Sequence, residues 1–275
     1  MWDCSRRFPI AGGKAWSYLA LAAGFCLATF TLLAQESSPE ELRKLARNPF
    51  ADTIRLPITV DLYFDTNPNS LAGSDLQVEP LIPLHVSNEW LLIPRIDSLA
   101  QEISGRFGLE DTVVTFFLTP VHVGRFIWGA GPALLIPTAT DSRFGLGKWG
   151  SGPVFVVLSQ PKWGSAEILI QNIWSFSGAH DRGPVNQMEL QPAFSYNLKK
   201  TWYLATGPTI TIDWTKPSGE RWLVPVGGGA GRTFKLGRQP IDVNLTLYRN
   251  FSPLPQFSPK WQFSLQMTLL FTRHR

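Results

Sequence analysis

The sequence predicts an all-β fold: a transmembrane, antiparallel, up-and-down β-barrel of about twelve strands. Three observations predict it. Apolar and polar residues alternate with period two through most of the chain beyond residue 53. The segments so patterned are joined by connections that are long and short in strict turn, and Trp and Tyr gather at the segment ends. Alternation places the two residue sets on opposite faces of a strand. A barrel with an apolar outside and a polar inside produces that pattern along every strand.

The first segment shows it plainly. Ile54, Leu56, Ile58, Val60, Leu62 and Phe64 alternate with Arg55, Pro57, Thr59, Asp61 and Tyr63. At 76–86, Leu76, Val78, Pro80, Ile82, Leu84 and Val86 alternate with Gln77, Glu79, Leu81, Pro83 and His85. The sorting recurs at 188–197 and 241–248, and it is cleanest at 261–271, where Trp261, Phe263, Leu265, Met267, Leu269 and Phe271 flank Gln262, Ser264, Gln266 and Thr268. Weaker segments at 89–97, 112–119, 123–136, 152–160, 166–176, 201–213 and 221–234 bring the number to twelve.

A soluble β-sandwich also alternates, and three features argue against one. The segments run to roughly 9–15 residues, the reach of a tilted membrane strand rather than of the shorter soluble strand. The inward sets hold Gln, Glu, Asn and Ser together, which a dry core rejects unpaired and a polar lumen accepts. Tyr63, Trp90, Trp163, Trp174, Trp202, Trp214, Trp222 and Trp261 fall near strand ends, as interfacial girdles require. The connections agree. With both barrel termini on one side, the odd ones (66–75, 98–111, 137–150, 177–185, 214–220, 250–259) are long and the even ones are tight turns. An odd strand number breaks that alternation.

Composition fits such a wall. Charged residues make up only 17%, against about a quarter in ordinary globular chains, while Trp numbers 11 and Phe 18. Arg6, Arg7 and Lys14 precede an uncharged stretch from Ala15 to Ala34 and then a polar switch at Gln35, the pattern of a secretory signal cleaved after Ala34. Residues 1–34 are therefore read as a signal peptide, 35–47 as a short periplasmic helix and linker, and 48–272 as the barrel. Ser38 caps the helix and Pro39 opens its first turn. Both cysteines, Cys4 and Cys26, fall in the leader, so the mature chain needs no disulfide framework. Loss of Arg6, Arg7 and Lys14 against Asp3 takes the net charge from +4 to about +2. No basic tract points to nucleic acid.

Chemical motifs are few. His85, His122, His180 and His274 have no Glu or Cys at metal-ligand spacing, so no metal or cofactor is expected and no catalytic residue is nominated. His85-Val86-Ser87-Asn88 superficially resembles the His-x-Ser-Asn of outer-membrane lipid A deacylases, but a Ser-Asn turn closing a hairpin accounts for it. Gly227 to Gly231 lacks the Lys-Ser/Thr of a phosphate loop. What is left is charge on the inward faces: Arg55, Asp61, Glu79, His85, Arg95, Glu167, Glu189, Asp213 and Asp242 are the lumen-lining candidates. These either pair into a plug or line a solute path. The connection from Pro137 to Gly150, with Asp141, Arg143, Phe144, Lys148 and Trp149 among glycines, is a candidate gate that folds over the mouth; the plainer reading makes Trp149 a girdle residue.

Several pieces together carry a family resemblance. They are Asn48-Pro49-Phe50-Ala51-Asp52, Trp128-Gly129-Ala130-Gly131-Pro132, Pro137-Thr138-Ala139-Thr140, Gly147-Lys148-Trp149-Gly150, Asn172-Ile173-Trp174-Ser175, Val185-Asn186-Gln187, Leu190-Gln191-Pro192 and Lys235 to Pro240. As a set they resemble the bacterial outer-membrane family named for the meta-pathway of phenol degradation, whose members are labelled transporters and sometimes neuromedin U. The resemblance implies a porin-like outer-membrane barrel of a Gram-negative envelope and uptake of aromatic or other hydrophobic solutes. The expected partners are outer-membrane lipid, the barrel-assembly machinery during biogenesis and a small-molecule solute. A lipid-acting hydrolase and a structural barrel with a plugged lumen are the alternatives.

Overall fold

A computed structural model describes residues 38–66, 73–103, 105–251 and 259–272. The expected leader with its cleavage point, and His274, lie outside the described residues. A helix α1 (Pro39–Ala46) comes first. The strands are β1 (Thr53–Thr66), β2 (Gly73–Val78), β3 (Leu84–His85), β4 (Trp90–Ile103), β5 (Arg106–Leu109), β6 (Thr112–Pro120), β7 (Phe126–Ile136) and β8 (Lys148–Ser159). After them come β9 (Gly164–Gly178), β10 (Asn186–Asn197), β11 (Trp202–Thr206), β12 (Ile210–Asp213), β13 (Trp222–Leu223), β14 (Pro225–Leu236), β15 (Gln239–Asn250) and β16 (Pro259–Thr272).

These segments make a closed, antiparallel barrel of twelve staves. β2, a bridge at Leu81 and β3 form one stave, β5 with β6 another, β11 with β12 a third, and β13 with β14 a fourth. β16 pairs back onto β1 from Thr53↔Thr272 to Thr66↔Pro259, which closes the ring and leaves no free edge. Tight connections gather at one end, here the turn end, and the others at the loop end.

The structure redraws two connections. The stretch 98–111 is not a loop: β4 continues to Ile103, and β5 folds back on it from Ala100↔Leu109 to Ile103↔Arg106. The connection 137–150 is shorter than its sequence suggests, because β8 starts at Lys148, with a register shift between Trp149 and Gly150. Glycines at 145, 147 and 150 mimic a loop, yet Gly150 sits in a ladder where a Cβ would stand 2.8 Å from Ile173 Cγ2 and 3.1 Å from Trp174 O. α1 forms as its sequence dictates: Ser38 Oγ accepts from Glu41 N, and Glu41 reaches back to Ser38 N.

The faces sort by chemistry. Leu62, Phe64, Phe155, Ile170, Leu245 and Leu247 are exposed on the outside, while Thr59, Asp61, Thr115, Gln171, Ser195 and Thr246 are buried inside. Tryptophans, all but the half-buried Trp90 exposed, mark both ends of the wall. Trp163 and Trp202, with Trp90 and Trp128 stacked edge-on at 6.0 Å, stand at the turn end; Trp149, Trp174, Trp214, Trp222 and Trp261 stand at the loop end. On β16, Leu265 is 36% exposed, whereas Gln266 donates to Thr59 Oγ1 of the neighbouring β1 on the inner face. Leu265→Arg is expected to cost roughly 2–4 kcal/mol at bilayer mid-depth, and Gln266→Arg clearly less. Denaturant titration of the two variants in lipid vesicles tests this; equal losses would show the faces to be wrongly assigned.

Candidate functional site

The interior has three zones. At the turn end, the segment before β1 enters the barrel. Asn48 Oδ1 accepts from Phe50 N at 2.9 Å, an Asx turn that aims the Phe50 ring inward. Phe50 meets Phe117 edge-on at 5.6 Å and belongs to a buried cluster with Leu81, Leu91, Ile93, Ile127 and Leu158. Gly129 makes room for it: a Cβ there would lie 2.6 Å from the Phe50 ring. α1 covers the rest of this end, with Leu42 and Ala46 buried and Arg43 donating to Leu198 O, while Gln160 donates to Lys44 O. The Arg47 guanidinium lies 3.7 Å from the centre of the Tyr203 ring, and Arg55 donates to Ala46 O.

The second zone is a band of buried charge. Asp242 accepts from Tyr203 Oη at 2.6 Å and from Thr233 Oγ1 at 2.5 Å. Arg55 lies in the field of Glu167, Asp242 and Glu79. Arg95 pairs with Glu79 at 3.9 Å, and Gln171 donates to Glu189 at 2.7 Å. Here, then, Arg47, Arg55 and Arg95 face a comparable number of carboxylates. Toward the loop end the inward carboxylates continue as Asp61, Asp75 and Asp97, with Gln77 donating to Asp97 at 2.9 Å.

The third zone is a cavity of about 290 Å³ at the loop end. Its apolar lining is Val113, Leu135, Phe144, Leu146, Ile173 and Val185, and its polar lining is Glu110, Asp111, Gln171, Gln187 and Glu189. The connection between β7 and β8 folds inward over it. Phe144 is 8% exposed, against Gly108, where a Cβ would stand 2.2 Å from the ring. Asp111 holds the fold-in. Its Oδ1 accepts from Ala139 N at 3.1 Å, and its Oδ2 accepts from Leu146 N at 2.7 Å and Gly147 N at 3.1 Å. The Thr112 and Thr138 hydroxyls, and Leu109 N with Thr140 Oγ1, add two further ties. Burial, together with Asp75, Asp97 and Asp111 nearby, pushes the Glu110 carboxyl up to about 7.

Asp111→Ala is expected to free this connection by about 2–4 kcal/mol, since charge-assisted bonds to three amides are lost at once. Hydrogen exchange over 137–147 reports it. Unchanged protection there would assign the anchoring to the threonine ties and to Arg182, which donates to Ser142 O.

The sequence candidates divide accordingly. Arg55, Glu79, Arg95, Glu167, Glu189 and Asp242 converge in the charged band, and Asp61 lies above it, directly opposite Asp75 in register. His85 is instead at the turn-end rim, 3.4 Å from Asp52. Asp213 caps a turn at the loop end, accepting from Thr215 N and Oγ1. Of the gate candidates, Phe144 alone enters the interior. Asp141 and Arg143 form an exposed ion pair at 2.7 Å, in which Arg143 holds the Asp141 carboxyl well below the usual range. Lys148 and Trp149 belong to β8, and Trp149 is exposed on the outer wall. The Ser87 hydroxyl accepts from Glu89 N and Trp90 N, which makes His85–Asn88 a hairpin turn. Phe50, Tyr203 and Asp111 are absent from the sequence candidates. Only the Asn-Pro-Phe run signals one of them locally.

No family model matches the chain, and no curated protein does. Among solved structures it is similar to an outer membrane channel from Pseudomonas putida F1, with a TM-score of 0.58 at 15% identity, covering 80% of this chain and 96% of that one. Weaker likenesses are to the CymD monoaromatic hydrocarbon channel (TM-score 0.46, 9% identity, 85% and 91% covered) and to a Pseudomonas aeruginosa FadL homologue (TM-score 0.41, 10% identity, 87% and 93% covered). At 15% identity the first likeness is one of fold, and the weaker two add nothing to it.

Proposed function

We propose that this chain is an outer-membrane channel for small, largely apolar solutes, aromatic ones among them, with its turn end in the periplasm and its loop end outside. The observation that carries the reading is a closed barrel with an apolar, tryptophan-edged outer face around a polar interior that still holds a cavity. The likeness of fold to an outer membrane channel supports it. In the resting form both ends are covered by segments separate from the wall: α1 with Phe50 at one end and the Phe144 connection at the other. Both hang mainly on side-chain contacts, with one backbone bond from Thr140 N to Leu109 O, so either one moves without breaking the barrel.

The turn-end packing around Phe50 also favours a second reading, a sealed structural barrel. Purified protein in liposomes separates the two. Phenol-sized aromatics are expected to permeate faster than sugars of similar mass. No flux of any solute would favour the sealed barrel, and fatty-acid release in a parallel assay would favour a lipid hydrolase.

A further inference from the structure

The loop-end cavity has an uneven chemistry. Among its lining residues are three carboxylates (Glu110, Asp111 and Glu189) and no lysine, arginine or histidine. Acidic residues alone select nothing, but Gln171 supplies an independent observation. It is only 3% exposed. Its Nε2 donates to Glu189 Oε2, and since a carboxylate accepts, that contact fixes which way round the amide sits. Gln171 Oε1 is thereby left buried in the cavity wall with no hydrogen-bond partner.

Asp111 is occupied by three backbone amides. Arg95, the cation acting on Glu189, is itself paired with Glu79. What the cavity offers an occupant is therefore acceptors: Gln171 Oε1 and the carboxyls of Glu189 and Glu110. The rest of the lining, with Val113, Leu135, Phe144 and Ile173, is apolar. At about 290 Å³ the space takes one aromatic ring with a short chain, given that a cavity of roughly 150 Å³ holds benzene.

We infer that this cavity binds a small solute with a ring-sized apolar body and a cationic, hydrogen-bond-donating head, an arylalkylamine in the simplest case, and rejects the matching carboxylate. The body lies against Phe144 and Ile173, and the head satisfies Gln171 Oε1 while facing Glu189. The inference rests on the reading of the barrel as a solute pathway, for which it names a class of solute.

The test uses 2-phenylethylamine, 2-phenylethanol and phenylacetate, which share ring and chain length and differ in the head. Calorimetric titration of the purified, detergent-solubilised chain is expected to rank the amine about tenfold tighter than the alcohol, with no binding of the acid. Glu189→Gln should bring the amine close to the alcohol. If that variant does not assemble, Glu110→Gln, outside the strands, asks the same question. Equal binding of acid and amine, or an unchanged ranking in an assembled variant, would overturn the inference. Flux of the same probes into liposomes keeps the two claims apart. Head-group preference in the calorimeter without flux upholds the cavity and removes the pathway; equal flux of all three probes upholds the pathway and removes the inference.

Discussion

Asp242→Ala is expected to destabilise the barrel by about 3–5 kcal/mol, the scale for removing one partner from a buried charged group. Asp242 is 5% exposed and accepts from two hydroxyls, those of Tyr203 and Thr233, which are themselves 0% and 1% exposed. Its loss strands both donors inside the barrel and removes an anion from the field of Arg55. The effect also travels. Tyr203 carries the Arg47 guanidinium on its ring, so freeing Tyr203 loosens the attachment of α1. Asp242→Asn keeps one acceptor oxygen, and its amide nitrogen can donate to the other hydroxyl, so it should cost less; Tyr203→Phe should cost only about 1–2 kcal/mol. Denaturant unfolding followed by tryptophan fluorescence gives the three values. A loss under about 1 kcal/mol for Asp242→Ala would mean that packing, not this network, holds the turn end.

Opening the turn end is expected to have the largest effect on permeation. Deletion of residues 38–47 combined with Phe50→Ala should raise single-channel conductance on the order of tenfold, because an apolar constriction that excludes water is removed. The barrel itself should survive, since closure depends on the β1–β16 ladder, which begins at Thr53. Phe50→Ala alone gives up a well-packed ring, a change that costs about 3–5 kcal/mol in a dry core, and should give a smaller rise. Gly129→Val approaches the same end sterically, by placing carbon where the Phe50 ring now sits. If none of the three variants conducts more than the parent, the block lies at the Phe144 connection or the barrel is sealed.

The staves were legible because each is announced by its own residues. The alternation of Ile54 to Phe64, or of Trp261 to Phe271, is a property of a dozen consecutive positions, and turn composition is equally local. Local reading failed where the same residues serve two purposes. Glycines 145 to 150 read as one flexible loop, yet Gly150 belongs to the β8–β9 ladder and only the first part of that run leaves the wall. Ser98 to Ile103 lacks a strong pattern but extends β4 because β2 pairs with residues 98–102 on one side and β5 comes back to pair with residues 100–103 on the other.

The sequence by itself determined the wall: its all-β character, the twelve staves, which face of each is apolar and which end carries the long connections. Only the tertiary structure decided what fills the lumen. Inward residues far apart in the chain meet only once the ring has closed and its register is set. Phe50 then finds Phe117 and Gly129, and Asp111 finds the amides of residues 139, 146 and 147. Tyr203 on β11 reaches Asp242 on β15 across β14, where a Cβ on Gly231 would stand 2.2 Å from the Tyr203 hydroxyl. A period of two states which side of the wall a residue takes; it carries no information about which inward residue stands opposite.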